Sequence, residues 1–133
     1  MRIGDLEVGP GRKGRVELPV ARVFTGTQLS LPVVVVHGRR PGKKLWLDAA
    51  IHGDELNGIR IIREVLRILD PRRLRGVVVA APVVNVFGLI HNSRYLPDRR
   101  DLNRCFPGSR RGSLASRLAR LFVDEVVKKC EIG

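Results

Sequence analysis

Apolar residues in the first third of the chain come in short stretches broken by turn residues, a pattern typical of β-strands. The stretches cover residues 15–18, 21–24 and 31–36, and Gly26 lies between the second and the third. We therefore predict that residues 1–30 form an antiparallel hairpin that leads into a larger sheet.

The next two apolar runs are apolar on both faces, as in strands that are covered on both sides. They are Leu45–Ile51, with Asp48 as the one charged residue, and Val77–Ala81. Between them, residues 56–69 carry apolar positions three and four apart, which is the spacing of a helix with one buried stripe. The pair Asp70–Pro71 ends that helix. A strand, a helix and a second strand in this order predict a parallel pair joined by a right-handed crossover.

Residues 83–112 show no sustained periodicity, and a stretch of that length predicts a functional loop rather than a plain connection. Ser113 can then cap a last helix. The inner face of that helix consists of Leu114, Leu118, Leu121, Phe122 and Val126. Cys130–Gly133 has the character of another strand's beginning. Together these elements predict one α/β domain, a mixed sheet with helices on both faces, whose core is residues 31–133.

The chain carries 25 Lys and Arg against 13 Asp and Glu, a formal net charge of +12. Such a surplus attracts nucleic acid, anionic membranes and acidic small molecules. Aromatic side chains that could stack on bases make up only 5% of the chain, and no nucleic-acid-binding motif is present, so we do not favour nucleic acid as a partner. A second explanation of the surplus is that the rest of a longer protein is more acidic.

No apolar run approaches the roughly 20 residues that cross a bilayer, and residues 1–19 carry charges where a signal peptide would be apolar. We therefore expect a cytoplasmic protein that does not bind membranes. Cys105 and Cys130 are far apart and lack a CxxC partner, which argues against both a disulfide framework and a thiolate zinc site.

His52 and Glu55 lie where the predicted strand 45–51 meets the predicted helix. Loops diverge at the carboxyl end of a strand in an open α/β sheet and leave a crevice for ligands. An imidazole and a carboxylate placed there can hold zinc, and two His with one Glu form a known catalytic zinc set. Gly53 would let the backbone pass close to the ion. The plainer alternative is a surface His beside a Glu that the helix dipole favours.

A second group of polar residues lies in the long loop. An arginine fork binds a carboxylate through two parallel hydrogen bonds, so Arg104 and the neighbouring Asn103 predict a clamp for a substrate carboxylate. Asp101 can hold an arginine in place beside that clamp. Arg94 is a further cation that can stabilise a developing oxyanion. Each arginine can also be read as a solvated charge in a chain that has many.

The order and content of these motifs resemble the succinylglutamate desuccinylase and aspartoacylase family, whose members are related to the zinc carboxypeptidases. The resemblance covers about residues 32–125 and rests on Ala49–Gly58, Asn92–Tyr95 and Asp101–Gly108. The pairing of HGDE with DLNR-x-FPG at this separation is specific, because each motif lies in the structural context that its chemistry requires. The resemblance implies a zinc carboxypeptidase-like fold of the phosphorylase/hydrolase type.

The resemblance also implies a reaction, the zinc-dependent hydrolysis of the amide bond of a small, anionic N-acyl amino acid. His52 and Glu55 match the first two zinc ligands of the family. Arg94 matches the arginine that polarises the scissile carbonyl. Asn103 and Arg104 match the pair that grips the substrate's carboxylate, and a supporting part in substrate binding is expected of the residue that begins the motif, Asp101.

In the family, a histidine that completes the zinc set and a glutamate base come later in the chain, so we expect both beyond Gly133 and expect the 133 residues alone to be inactive. His37 and His91 are the two substitutes for the third ligand that the chain offers, and His91, in the long loop, is the better placed. A chain that ended before a central strand would leave a sheet edge open to association with another copy.

Two other functions are compatible with the sequence. A carboxypeptidase uses the same clamp for the terminal carboxylate of a peptide. A non-catalytic module would use the basic surface to hold nucleic acid or an acidic protein, with the HGDE and DLNR residues as relics.

Overall fold

Six strands and three helices make up the computed structural model, which describes all residues 1–133. The strands are β1 (Arg2–Ile3), β2 (Leu6–Glu7), β3 (Arg12–Arg22), β4 (Gln28–His37), β5 (Arg40–Asp48) and β6 (Arg75–Ala81). The helices are α1 (Asn57–Ile68), α2 (Val86–Ile90) and α3 (Leu114–Glu125), and short 3-10 turns lie at Leu102–Arg104 and Val127–Lys129.

The main sheet is mixed and has the strand order β3-β4-β6-β5. β3 pairs with β4 and β4 with β6 in antiparallel fashion, whereas β5 and β6 are parallel. Because α1 connects the parallel pair, the predicted strand–helix–strand unit is confirmed. The predicted fold class, a mixed sheet with helices, is confirmed as well. β1 and β2 form a separate two-stranded sheet that the sequence pattern did not predict.

The hairpin at the start of the sheet differs from its prediction. Residues 15–18 and 21–24 were predicted as two strands, but one long strand, β3, covers residues 12–22 and shifts its pairing register between Pro19 and Ala21. Proline lacks the N–H that a sheet ladder needs, so the irregularity falls beside Pro19. Phe24 is not in a strand but fully exposed in the turn that follows β3.

β5 begins at Arg40 and ends at Asp48, earlier at both ends than the run Leu45–Ile51 that predicted it. Its first residue pairs with Arg75 of β6, so pairing with a distant strand overrides the turn-like composition of residues 37–42. On its outer side β5 pairs only with Ile132, through a parallel bridge at Leu45. The expected strand-like character of the last residues is seen in that bridge.

Each face of the sheet has its own apolar layer. On one face, α3 buries Leu118, Phe122 and Val126 in a cluster with Val35 and Val79, as its periodicity predicted. Valines that alternate with these along the strands point to the other face, where α1 contacts β5 and buries Ile62. Leu114 and Leu121 of the predicted inner face of α3 are half-buried. None of the helices is long and apolar enough to cross a bilayer.

Candidate active site

A tight turn after β5 positions His52. Ala50 in this turn has a φ of 50°, a conformation that costs a non-glycine residue about 1 to 3 kcal/mol. Two hydrogen bonds hold the turn: the Val84 N–H donates to Ala49 O at 3.0 Å, and the Asn85 N–H donates to Ala50 O at 2.9 Å. The loop after β6 therefore fixes the end of β5, and the His52 side chain is left 9% exposed.

Gly53, the next residue, lies against the backbone of α2. Its N–H donates to Ser93 O at 3.0 Å, and a Cβ atom at this position would lie 1.9 Å from the carbonyl carbon of Gly88. The sequence suggested that glycine here allows a close approach to an ion, but the close approach in the structure is to α2. Any side chain at residue 53 would push α2 away from His52.

The two ring nitrogens of His52 face two carboxylates. Nδ1 lies 2.8 Å from Glu55 Oε1, and Nε2 lies 3.1 Å from Asp101 Oδ1. A neutral imidazole has one N–H, so it can donate to one of these oxygens only. The second contact is favourable only if a cation, either a proton or a metal ion, lies between the nitrogen and the oxygen. The Glu55 side chain is 64% exposed against 16% for Asp101, so the Glu55 side is the open one.

Asp101 joins His52 to Arg94. Its Oδ1 atom contacts His52 and accepts the Asn103 N–H at 2.9 Å, while its Oδ2 atom accepts from Arg94 Nε at 3.2 Å and Nη2 at 2.9 Å. Desolvation raises the pKa of the Asp101 carboxyl, but the hydrogen bonds from Arg94, His52 and the Asn103 N–H outweigh it and hold that pKa below its usual value. Hydrogen bonding to Asp101 in turn raises the pKa of Arg94.

Asn103 and Arg104 lie in the 3-10 turn that Asp101 caps, and both are exposed. Asn103 lines a groove of about 610 Å³ together with Trp46, Ile51 and Phe106. The Arg104 guanidinium has no hydrogen-bond or ion-pair partner, so its fork is free to bind an anion. Asp101, predicted to support substrate binding and to hold an arginine, is bonded to Arg94, and its oxygens also contact His52 and the Asn103 N–H.

A second groove, of about 740 Å³, lies beside Glu55 and is lined in part by Asp48, Asp54 and Asn57. Asp48 at the end of β5 was noted from the sequence as the one charge in an apolar run but was not predicted to be a site residue. Desolvation raises the pKa of the Asp48 carboxyl, and a hydrogen bond from the Trp46 indole at 3.1 Å opposes that rise. In the sequence, the uninterrupted apolar residues on both sides of Asp48 were the one sign that this charge is unusual.

No group of three His, Cys, Asp or Glu side chains is arranged to hold a metal ion. His37 lies at the far end of β4, with Nδ1 2.6 Å from Val8 O, and His91 is exposed at the end of α2. Neither histidine joins His52 and Glu55. Both cysteines are free thiols, and burial raises the pKa of each.

Similarity to known proteins agrees with the motifs. A family model described as succinylglutamate desuccinylase/aspartoacylase catalytic domain matches residues 41–133. The chain is 28% identical over 130 residues to N-alpha-acetyl-L-2,4-diaminobutyric acid deacetylase of Halomonas elongata, which covers 96% of this chain and 38% of the deacetylase.

Two solved structures share the fold. A succinylglutamate desuccinylase/aspartoacylase from Rhodobacter sphaeroides superposes with a TM-score of 0.77 at 33% identity, over 98% of this chain and 41% of that protein. An aspartoacylase family protein from Mesorhizobium loti gives 0.80 at 28% identity, over 93% and 40%. The chain thus spans about 40% of the length of its relatives. Because the family model matches well over half of its residues, the chain belongs to the succinylglutamate desuccinylase/aspartoacylase family.

Proposed function

We propose that this chain provides two zinc ligands and the carboxylate clamp of a deacylase that hydrolyses the amide bond of a small N-acyl amino acid. The observation that carries the proposal is the convergence of His52 Nδ1 and Glu55 Oε1, 2.8 Å apart, at the mouth of a groove in a member of this family. Residues 31–133 would be the first part of one catalytic domain, with residues 1–30 as its lead-in.

The donor atoms fit a zinc ion. Imidazole nitrogen and carboxylate oxygen are both common zinc ligands, and a zinc-binding histidine usually has its second nitrogen on a carboxylate. His52 meets this pattern, because Asp101 is on the Nε2 side and Glu55 is on the Nδ1 side. With the Nε2 proton directed at Asp101, the Nδ1 lone pair points towards Glu55. A cation between the two would remove the repulsion between lone pairs.

Zinc bound there would supply a Lewis acid that polarises a carbonyl and lowers the pKa of water. Asp101 would hold His52 in the tautomer that this site needs, and it also holds Arg94 through two of its nitrogens. The Arg94 side chain remains 42% exposed, so its other N–H groups can donate to a substrate oxygen that gains negative charge.

The substrate's carboxylate would bind at the opposite side of the site. Arg104 offers an unpaired guanidinium fork, and Asn103 adds an amide donor from the same turn. Both residues follow Asp101 directly, so the clamp and the His52 contact are fixed by one short segment. This link would set the distance between the carboxylate and the scissile amide of the substrate.

A catalytic zinc set has three protein ligands, and these residues provide two. We propose that the third ligand and the general base come from the part of the family fold that these 133 residues do not span, since they cover about 40% of the relatives. Weak zinc binding and no turnover are expected of the 133 residues alone.

Zinc binding tests the proposal. We expect equilibrium dialysis to show one zinc site that His52→Ala and Glu55→Gln each weaken at least about tenfold. His91→Ala and Glu64→Gln are matched controls, because both side chains are exposed and neither is bonded to His52 or Glu55. Equal zinc affinity in the site variants and the controls would contradict the proposal.

The substrate class is tested by comparing ligands. Binding of N-acetyl amino acids to the zinc-loaded chain, followed by NMR, should be tighter than binding of dipeptides with the same terminal residue. The deacetylase and aspartoacylase relatives support this order. Tighter binding of the dipeptides would favour a carboxypeptidase.

A further inference from the structure

Seven basic side chains come together at the end of the sheet opposite to His52. We call this surface the basic pole; it consists of Arg12, Lys13, Arg39, Arg40, Arg72, Arg73 and Arg75. The fold assembles it from three segments. Arg12 is the pairing partner of His37 at the end of β4, the Arg39 N–H donates to Pro71 O at 2.8 Å, and Lys13 Nζ donates to Leu66 O at 2.9 Å.

The charges of the basic pole are not neutralised by the protein. All seven side chains are exposed, and none of them is among the ion pairs of the structure. Glu7, Glu64 and Asp70 are acidic residues in neighbouring segments; Glu64 is paired with Arg67, and the Asp70 carboxylate accepts the backbone N–H of Arg72 at 2.8 Å.

Two of these arginines lie on neighbouring strands of the sheet. Arg40 and Arg75 are register partners at the start of the parallel strands β5 and β6. Like charges opposite each other in a sheet are destabilising. A bound polyanion would reduce the repulsion between these like charges.

We propose that the basic pole binds the phosphate backbone of a nucleic-acid duplex. Six of its seven cations are arginines, whose planar forks match phosphate oxygens. The four strands of the sheet place the pole in a row about 14 Å long, given their spacing of about 4.8 Å. A B-DNA major groove is roughly 12 Å wide, so cations at the two ends of the row can reach phosphates on both sides of a groove.

The residue types at the basic pole favour binding of a duplex over binding of other polyanions. Its three segments, residues 10–13, 38–43 and 70–75, contain no aromatic residue on which the bases of a single strand could stack. The scarcity of aromatics, which spoke against nucleic acid at the sequence level, therefore bears on single strands and not on duplexes. The pole also lacks the buried aromatic or apolar anchors that protein interfaces use.

Duplex binding at the pole would leave the candidate active site free. Arg40 at the pole pairs with Arg75, and Asp48 beside the site pairs with Ala81, so the stretch of β6 between these partners puts the two about 20 Å apart at the rise of an extended strand. The inference is thus independent of the proposed deacylase function, and zinc affinity should not respond to changes at the pole.

Fluorescence anisotropy with a labelled 20-base-pair duplex of mixed sequence tests the inference. With roughly four phosphate contacts, the affinity should fall about 100-fold between 50 and 200 mM salt. The variant Arg39→Glu with Arg73→Glu should lose at least about tenfold in affinity and show a shallower salt dependence. The control variant, Arg22→Glu with Arg111→Glu, makes the same change in net charge at exposed, unpaired arginines elsewhere and should keep most of the affinity.

Arg39→Gln with Arg73→Gln is a milder pole variant, and thermal melts of every variant show that the fold is retained. The duplex affinity of this Gln variant should lie between that of the wild type and that of the Glu variant. Equal losses in the pole and control variants would overturn the proposal, because net charge alone would then explain the binding. Tighter binding of a single strand, or binding confined to phosphatidylserine vesicles or polyglutamate, would overturn it as well.

Discussion

The Nε2 atom of His52 lies 3.1 Å from Oδ1 of Asp101, although 49 positions separate the two residues in the chain. This contact joins the HGDE motif at the end of β5 to the DLNR motif in the loop before α3. Asp101 also accepts two hydrogen bonds from Arg94, so one half-buried carboxylate contacts both the candidate zinc ligand and the candidate oxyanion-binding arginine.

Loss of the Asp101 charge should weaken zinc binding. In Asp101→Asn the side chain keeps its shape, but it no longer holds the Nε2 proton and Arg94 as strongly, so zinc affinity should fall by about 10- to 100-fold. Competition with a chelating dye measures the affinity. Asp54→Asn is the matched control, because it removes an exposed charge beside the site that has no hydrogen bond. An equal effect in the control would indicate general electrostatics instead of a directed contact.

Replacement of the Arg104 fork should weaken the binding of carboxylates. In Arg104→Lys the charge remains but the two parallel hydrogen bonds do not, so an N-acetyl amino acid should bind about 10- to 100-fold more weakly. The amide of the same ligand, which lacks the carboxylate, should bind equally to both proteins. NMR titration of the two ligands gives the ratio, and Arg111→Lys is the control. An equal loss of affinity for both ligands would show that Arg104 does not bind the carboxylate.

The elements that the sequence predicted well are those whose signal is local. The spacing of Leu118, Phe122 and Val126 and the capping residue Ser113 define α3 within its own segment, and the apolar run of β6 does the same. By contrast, β5 begins at Arg40 because of a partner 35 positions away, which no local pattern can reveal.

The residues of the candidate site also differ in whether a local or a long-range relationship positions them. The spacing of His52 and Glu55 predicted a pair on one side of a strand end, and the structure brings them into contact. The contact between His52 and Asp101 and the role of Gly53 depend on the path of residues 83–101 over the sheet, which carries no periodic signal. The sequence therefore named the groups proposed to bind zinc and substrate and named Asp101 as a partner for an arginine, but it did not reveal the contact between Asp101 and His52.

Gly53 should tolerate no side chain. In Gly53→Ala the new Cβ would meet the backbone of Gly88 and Leu89, which cannot rotate away, so we expect a loss of at least about 2 kcal/mol in the free energy of unfolding. Zinc affinity should fall too, because α2 and the turn that holds His52 move apart. Urea unfolding measures the first effect. Gly9→Ala, which meets nothing within 4 Å, should change stability by less than about 0.5 kcal/mol.

Asp124 on α3 should make stability depend on pH in acid. Its carboxylate accepts hydrogen bonds from Arg120 at 2.8 Å, Lys128 at 2.9 Å and Arg110 at 3.2 Å. The hydrogen bonds from Arg120 and Lys128 lower the pKa of Asp124 far below its ordinary value. Since the folded pKa is lower than the unfolded one, the stabilisation is fully present above about pH 4 and is lost as the pH falls towards the folded pKa.

Asp124→Asn should therefore melt several degrees below the wild type at pH 7, and the difference should shrink as the pH is lowered from 5 to 2. Circular dichroism melts across this range measure both curves. Asp5→Asn removes an exposed carboxylate without a hydrogen bond and should follow the wild type at every pH. A gap between Asp124→Asn and the wild type that stayed constant down to pH 2 would mean that packing of the side chain, and not its charge, stabilises α3.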